Sequence, residues 1–404
     1  MAALCLAVRL PAQGFHTYVG QIESHSVLIA WGTTAGQGNT IGRESASSGK
    51  AHVTVGEKSG DTTKNWIVIN ELPADASLPY DLTIDGTKRA QGTVRTYPDK
   101  AQKLRFFVLG DWGNGTPAQY RVADSMWKEF QRYQSTDNPV RFVITTGDNI
   151  YADLNLYVSA SHSGDEDNHW ESKFFHPYEP LVRQIPFYPT LGNHDGNGSE
   201  NRGDLPTYLD NFYFPGNHPA RWYTFTYGGF AQFFALDSTN NSESGRTDNI
   251  FRADGAEFKW FKEQIPASTA PWKIPYWHHP LYNAGPRHPA SLNDLRHFAD
   301  VFQKNGVKVV FSGHEHNFQF SELNDSTGNI RYVVSGAGGE LRTGDVRGKM
   351  AKAHIAGWAA EFHFLMVEIE SDTMKIMPIS GSDEPVNAVD SDGKKIPMPL
   401  VVTR

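Results

Sequence analysis

Five short apolar runs in this sequence each lead into an aspartate, an asparagine or a histidine. Four of the five reach it through a glycine, and the segments that follow the runs are Gly110-Asp111-Trp112-Gly113, Gly147-Asp148-Asn149-Ile150-Tyr151, Gly192-Asn193-His194-Asp195, His278-His279-Pro280 and Gly313-His314-Glu315-His316. Short apolar runs that stop at glycine are typical of buried strands. Because open α/β sheets build their sites at the carboxyl ends of strands, we expect these segments to meet. Glycine permits the sharp turns and close backbone approach that such a cluster needs.

The side chains in these segments offer oxygen and imidazole nitrogen as donor atoms. The candidate ligands among them are two aspartates, one asparagine, at least three histidines and a tyrosine. Mixed oxygen and imidazole donors suit Zn, Fe and Mn rather than Ca, Mg or Cu(I). One such metal takes about three or four protein ligands, so seven candidates fit two metal ions. Asp148, which has two carboxylate oxygens, is the natural bridge between them.

The composition excludes several classes of protein. The chain has one cysteine, Cys5, which rules out multi-thiolate metal sites and an intramolecular disulfide. Its net charge is −8 without a basic stripe, so we expect no nucleic-acid partner. No stretch approaches the ~20 apolar residues of a membrane helix, so we expect no membrane span. The high content of Trp, Tyr, Asn and Gly with modest Lys favours an exported protein, and we predict a secreted or periplasmic location.

Two regions of different pattern surround the five segments. Residues 15–98 contain short β-rich runs separated by turn residues, which predicts a small all-β sandwich. Residues 1–14 are predicted to be an N-terminal extension, the remnant of a signal peptide. From residue 99 to residue 404, strands alternate with helices, and apolar spacing predicts helices over 117–133, 257–265 and 291–305. The predicted fold class is therefore α/β (α+β), with mixed β-sheets flanked by helices after a small all-β domain.

The ordered set of five segments resembles the calcineurin-like metallophosphoesterases. Tyr151, three residues after the second aspartate, makes the set similar to the purple acid phosphatases in particular. The resemblance covers roughly residues 104 to 380 and includes the later segment Val334-Ser335-Gly336-Ala337-Gly338-Gly339. It implies a metallophosphoesterase sandwich, and the domain over residues 15–98 is similar to fibronectin type III.

The resemblance also implies which residues hold the two metals. One ion, Fe(III) in the family, would be bound by Asp111, Asp148, Tyr151 and His316. The other, a divalent Fe, Zn or Mn, would be bound by Asp148, Asn193, His278 and His314. In Trp277-His278-His279-Pro280 the ligand is ambiguous. The family's pattern of His, any residue, Pro favours His278, and His279 remains the alternative.

The implied reaction is hydrolysis of phosphate monoesters by in-line attack of a metal-bound hydroxide. His194 and His288 would be catalytic, by contacting the phosphate or protonating the leaving group. Substrate binding would involve Asn193, His194, Arg287 and His288. Asp195 is predicted to hydrogen-bond a histidine, and Glu315 to point away from the site as the residue between two ligands.

Three functions follow from this set of residues. The first is an acid phosphatase-like phosphoric monoester hydrolase that acts on a small phosphate ester. The second is a phosphodiesterase or nucleotide pyrophosphatase that uses the same metal cluster. The third is a non-catalytic binding protein, which predicts lost ligands, whereas all seven candidates are present. The sequence leaves the substrate, the metal pair and the oligomeric state open.

Overall fold

The computed structural model describes residues 14–34, 46–152, 169–195, 205–217, 220–239, 251–382 and 384–404. Residues 1–13, most of the predicted N-terminal extension, lie outside these ranges.

The first seven strands form two antiparallel sheets of their own, in the orders β1-β2-β5 and β4-β3-β6-β7. The strands are β1 (Gly14–Ile22), β2 (Val27–Thr34), β3 (Ala46–Val55), β4 (Lys58–Lys64), β5 (Trp66–Ile69), β6 (Ser77–Ile84) and β7 (Thr87–Arg95). In β6, the buried side chains of Tyr80, Leu82 and Ile84 alternate with more exposed ones. This period of two is that of a strand with one buried face. The predicted all-β region is therefore confirmed, and its boundary at residue 98 stays a prediction.

Thirteen further strands form two mixed sheets. The six-stranded sheet has the order β10-β9-β8-β18-β19-β20, and the seven-stranded sheet has the order β11-β12-β13-β14-β16-β15-β17. The strands of the first are β8 (Lys103–Leu109), β9 (Val140–Thr145), β10 (Phe187–Tyr188), β18 (His363–Glu370), β19 (Thr373–Ser380) and β20 (Leu400–Thr403). Those of the second are β11 (Tyr223–Tyr227), β12 (Ala231–Ala235), β13 (Trp272–Tyr276), β14 (Val309–Ser312), β15 (Phe318–Ser321), β16 (Arg331–Ser335) and β17 (Ile355–Ala359).

In the described residues, two sets of strands pair in parallel, one in each mixed sheet. Strands β8, β9 and β10 are parallel to one another, as are β12, β13, β14 and β16. The strands β18, β19 and β20 pair antiparallel, and β18 also pairs antiparallel with β8.

Three of the helices coincide with the predicted ones. They are α1 (Pro117–Tyr133), α4 (Ala256–Ala267) and α5 (Leu292–Lys304). The side chain of Thr116 caps α1 by accepting the backbone N–H of Gln119, and Pro117 occupies the first turn, where its missing N–H costs nothing. The helices α2 (His176–Val182), α3 (Pro206–Asn211) and α6 (Arg347–Met350) were not predicted because each is too short to show a helical period.

The two mixed sheets face each other across an aromatic core. The ring of Phe106 on β8 lies 5.1 Å from that of Phe233 on β12 and 6.3 Å from that of Phe311 on β14. All three side chains are fully buried, and each contributes roughly 1.5–3 kcal/mol by leaving water. This packing confirms the predicted sandwich. Among the described residues, no helix has the length and apolar character that crossing a membrane requires.

Candidate metal centre

The five segments follow five parallel strands that belong to the two facing sheets. Strands β8, β9 and β10 lead to Asp111, Asp148 and Asn193, and strands β13 and β14 lead to His278 and His314. Because parallel strands end at the same edge, the two sheets present all five side chains at one end of the sandwich. Ligand atoms of Asp111, Asp148 and His278 lie within 4.8 Å of one another. The predicted meeting of the segments is therefore confirmed.

The backbone at these strand ends is strained. Asp111, Asp148 and His314 have φ angles of 54°, 48° and 71°, in the left-handed region that costs a non-glycine residue about 1–3 kcal/mol. A Cβ atom on Gly110 would clash with the Thr146 side chain, so only glycine permits this approach of β8 to β9. Three strained residues in one cluster are typical of a site in which position matters more than local stability.

Three side chains form what we call the tyrosine group: Asp111, Tyr151 and His316. The Tyr151 hydroxyl lies 3.2 Å from Asp111 Oδ1 and 3.2 Å from His316 Nε2. All three side chains are buried. The three atoms therefore converge on one small volume.

Three other side chains form the histidine group: Asn193, His278 and His314. His278 Nε2 lies 3.0 Å from Asn193 Oδ1 and 3.1 Å from His314 Nδ1. His278 is fully buried, whereas Asn193 is exposed. This group therefore opens towards solvent on the Asn193 side.

Asp148 lies between the two groups. Its Oδ2 atom is 3.1 Å from the Tyr151 hydroxyl and 3.4 Å from His278 Nε2. Its Oδ1 atom accepts the backbone N–H of His194 at 2.8 Å. One carboxylate thus contacts both groups, which is the placement expected of a bridging ligand.

The two neighbouring histidines of the His-His-Pro segment have different surroundings. His278 Nδ1 is 2.8 Å from the Thr146 carbonyl, which can only accept, so Nδ1 donates and Nε2 faces the cluster. His279 Nδ1 lies 3.1 Å from Ser238 Oγ. The geometry favours His278 as the ligand. His279 still has a ligand atom within 4.8 Å of those of His278 and His314, so it borders the same site.

The electrostatics of the cluster fit cations. Burial lowers the pKa of His278, but the Asp148 carboxylate outweighs it and raises that pKa to about 9. Burial lowers the pKa of His316 in the same way, and hydrogen bonds to Asp111 and Glu340 raise it to about 9. Burial raises the pKa of Tyr151 well above its ordinary value, and Asp111 adds to the effect. The carboxylates thus attract positive charge, so these residues fit two metal ions.

The two predicted catalytic histidines lie beside different groups of the cluster. The ring of His194 is 4.7 Å from that of Tyr151, and the ring of His288 is 4.0 Å from that of His314. Burial lowers the pKa of His288 to about 4, with Arg342 adding to the effect. Arg287 is exposed on the same segment as His288, so a role for its guanidinium in substrate binding stays a prediction.

Two charged residues near the cluster had no signal in the sequence. Glu340 Oε2 lies 3.0 Å from His316 Nδ1, which fixes the histidine with Nε2 towards Tyr151. Arg342 donates to the His314 carbonyl at 3.3 Å. Both residues follow the Val334–Gly339 segment. Because they lie more than 20 residues along the chain from His314 and His316, the sequence did not indicate these contacts.

The prediction for Asp195 is wrong. Its carboxylate accepts the backbone N–H groups of Asn149 at 2.7 Å, Ile150 at 3.1 Å and Gly192 at 2.7 Å, instead of a histidine. Asp195 is buried and joins the turn after β9 to the turn after β10. It therefore fixes the relative positions of Asp148 and Asn193.

Glu315, predicted to point away from the metal site as the residue between two ligands, contacts the segment of His288 rather than a candidate ligand side chain. Glu315 is fully buried, and its Oε2 accepts the backbone N–H of His288 at 2.7 Å.

Comparison with known proteins agrees with this site. The model of the calcineurin-like phosphoesterase family matches residues 104–318. That match covers more than half of the chain, so the protein belongs to the calcineurin-like phosphoesterase family and, as its motifs indicated, is of the purple acid phosphatase type. It is therefore a phosphoesterase of a family that uses two metal ions.

Individual relatives are distant. The chain is 27% identical over 302 residues to purple acid phosphatase 17 of Arabidopsis thaliana. The aligned region covers 68% of this chain and 81% of the relative. In fold it is similar to purple acid phosphatase PPD1 from yellow lupin (Lupinus luteus) seeds, with a TM-score of 0.68, 14% identity and coverage of 97% and 75%. It is also similar to PhoD, with a TM-score of 0.67, 14% identity and coverage of 95% and 92%. The two solved structures support the fold alone.

Proposed function

We propose that this protein hydrolyses phosphate monoesters with two metal ions, one in each group of the candidate centre. The observation that supports this proposal most directly is the position of Asp148. Its Oδ2 atom is 3.1 Å from the Tyr151 hydroxyl and 3.4 Å from His278 Nε2. A carboxylate shared in this way suits a pair of metals rather than a single one.

Two bound metal ions would lower the pKa of water towards ~7, which supplies hydroxide for in-line displacement, and would polarise the phosphoryl oxygens. Asp111, Tyr151 and His316 would hold one metal, and Asn193, His278 and His314 the other, with Asp148 common to both. The exposed side of the histidine group, at Asn193, is where a phosphate ester can approach.

The two flanking histidines would act on the substrate. His194 is beside Tyr151 and His288 is beside His314, so one additional imidazole lies next to each group. One would donate to a phosphoryl oxygen while the other donates to the leaving oxygen. Arg287, if it turns towards the substrate, would add a charged donor for a phosphate oxygen.

Tyr151 bears on the identity of the metals. A phenolate in this buried site, beside Asp111 and Asp148, needs strong compensation by positive charge. Fe(III) supplies more of it than a divalent ion does. We therefore propose Fe(III) in the tyrosine group and a divalent Fe, Zn or Mn in the histidine group.

The test is elemental analysis of the purified protein together with its visible absorption spectrum and its hydrolysis of two aryl esters. We expect about two metal ions per chain, iron among them, a visible tyrosinate band, and faster hydrolysis of p-nitrophenyl phosphate than of bis(p-nitrophenyl) phosphate. Two metals without colour would refute the iron assignment alone. Preference for the diester would replace the monoesterase by a phosphodiesterase. A metal-free protein that stays inactive after metals are added would refute the whole proposal.

We also propose a secreted or periplasmic location. The support is the composition, with 10 Trp and 16 Tyr and a modest number of lysines. Fractionation of cells that produce the protein would test it, and recovery with cytoplasmic markers would contradict it.

A further inference from the structure

The segment 283–288 lies beside the metal centre and carries His288. Buried side chains from the stretch just after β14 hold it. Gln319 Nε2 donates to the Gly285 carbonyl at 3.0 Å and to Asn283 Oδ1 at 2.9 Å. Asn317 Nδ2 donates to the same carbonyl at 3.1 Å. The position of the segment is therefore set by residues that continue directly from the Gly-His-Glu-His motif.

Glu315 makes the contact closest to His288. Its Oε2 atom accepts the backbone N–H of His288 at 2.7 Å and lies 3.3 Å from the backbone N of Arg287. Its Oε1 atom is 3.5 Å from the Arg342 guanidinium. The carboxylate is fully buried, so these partners, rather than water, compensate its charge.

The turn Gly313–His316 therefore contacts both the metal centre and the segment 283–288. His314 and His316 face the metal centre, and Glu315 between them faces the segment 283–288. The ring of His288 lies 4.0 Å from the ring of His314 and is tilted by 35° to it, so the imidazole lies beside the histidine group. An error of about 1 Å in the placement of a catalytic group can cost roughly 10²-fold in rate. A carboxylate that fixes the backbone N–H of His288 is well placed to prevent such an error.

We propose that Glu315 is a positioning residue that acts through His288: its carboxylate holds the 283–288 segment so that the His288 imidazole can donate to the leaving oxygen. This inference rests on the proposed phosphomonoesterase function. The alternative is that Glu315 only stabilises the fold, and then its removal would not act through His288.

The test compares variants of the metal-loaded enzyme on phenyl phosphate, a poor leaving group, and p-nitrophenyl phosphate, a good one. Glu315→Ala should lower kcat for phenyl phosphate about 10–100-fold and that for p-nitrophenyl phosphate less, because a general acid contributes roughly 10²–10⁴-fold and matters most for poor leaving groups. Glu315→Gln, which keeps an acceptor for the His288 N–H, should retain most of the activity. Metal content should stay at two ions per chain in both.

A double-mutant cycle separates positioning from a general structural role. His288→Ala should lower kcat, and adding Glu315→Ala to it should change kcat little, because the first substitution already removes the group that Glu315 positions. The matched control is Asp390→Ala. Asp390 also accepts two backbone N–H groups, from Asp392 at 3.0 Å and Lys394 at 2.9 Å, in a loop outside the site. We expect this control to keep both the activity and the leaving-group preference of the wild type.

Asn283→Ala provides a second route if Glu315→Ala loses its metals or does not fold. Asn283 donates to the His288 carbonyl at 3.0 Å and belongs to no ligand segment. We expect it to lower kcat with the same leaving-group preference and the same lack of additivity with His288→Ala. If the loss of kcat in Glu315→Ala or Asn283→Ala, whichever variant folds, multiplies fully with the loss in His288→Ala, the inference is overturned. The proposed phosphatase function would still stand. A wild-type protein that hydrolyses neither ester would instead overturn the proposed function, and the inference with it.

Discussion

The two halves of the candidate centre differ in the donors they offer and in their access to water. The tyrosine group has a carboxylate, a phenol and one imidazole, all buried, and Glu340 stands behind His316 at 3.0 Å. The histidine group has two imidazoles and an amide, with two more imidazoles, His279 and His288, around it. One group therefore offers mainly oxygen donors, and the other offers mainly nitrogen donors.

This difference between the two groups indicates that they have different roles. Anionic oxygen donors in a buried site favour the ion of higher charge, whereas imidazoles suit divalent Zn or Fe. The histidine group also contains the exposed Asn193, so substrate meets that half first. The tyrosine group would then bind the more highly charged ion, and the histidine group would bind the phosphate ester.

The largest expected effect comes from removing the residue that the two halves share. Asp148→Ala should abolish binding of both metals and all phosphatase activity, because the Asp148 Oδ2 atom lies beside Tyr151 of one group and His278 of the other. Elemental analysis and a p-nitrophenyl phosphate assay measure this directly. Retained activity with two metals per chain would show that the halves do not depend on Asp148.

Tyr151→Phe should affect the tyrosine group alone. The visible band should disappear because no phenolate remains, whereas hydrolysis with added divalent metals should continue in part. Absorption spectra before and after the substitution provide the measurement. An unchanged band would refute metal binding by Tyr151.

Glu340→Gln should have a smaller effect on the same half. The substitution keeps a hydrogen-bond acceptor for His316 Nδ1 but removes the negative charge, and partners of this kind are typically worth about 10–100-fold in metal affinity. Competition with a chelator should release the metal of the tyrosine group first. Equal release from both halves would contradict the proposed separation.

The metal-free protein should lose stability as the pH rises. The pKa values of His278 and His316 are raised to about 9 from an ordinary 6.5. A raised histidine pKa stabilises the fold fully below about pH 6.5, and this contribution disappears as the pH rises through about 9. Metal ions replace those protons, so the difference in Tm between loaded and metal-free protein should widen between pH 6.5 and pH 9. A constant difference would show that the carboxylates do not depend on these imidazoles for charge compensation.

Much of the centre could be predicted because its signals are local. Each candidate ligand stands within a few residues of an apolar run, and glycine before Asp111, Asp148 and His314 marks the turn. The helix α1 was also predictable, because Thr116, Pro117 and the apolar spacing after them all lie on one short stretch. Strand ends, caps and helical periods depend on neighbours in the chain, and the sequence alone determines them.

The supporting contacts were decided by the tertiary structure. Asp195 binds the turn at Asn149, Glu315 binds the segment of His288, and Glu340 binds His316. Asp195 and Glu315 are buried and Glu340 is half-buried, and which donors each carboxylate finds depends on which loops the two sheets bring together. A sequence shows that a carboxylate follows a strand. Only the packed sandwich decides whether that carboxylate meets a metal, a histidine or a backbone N–H.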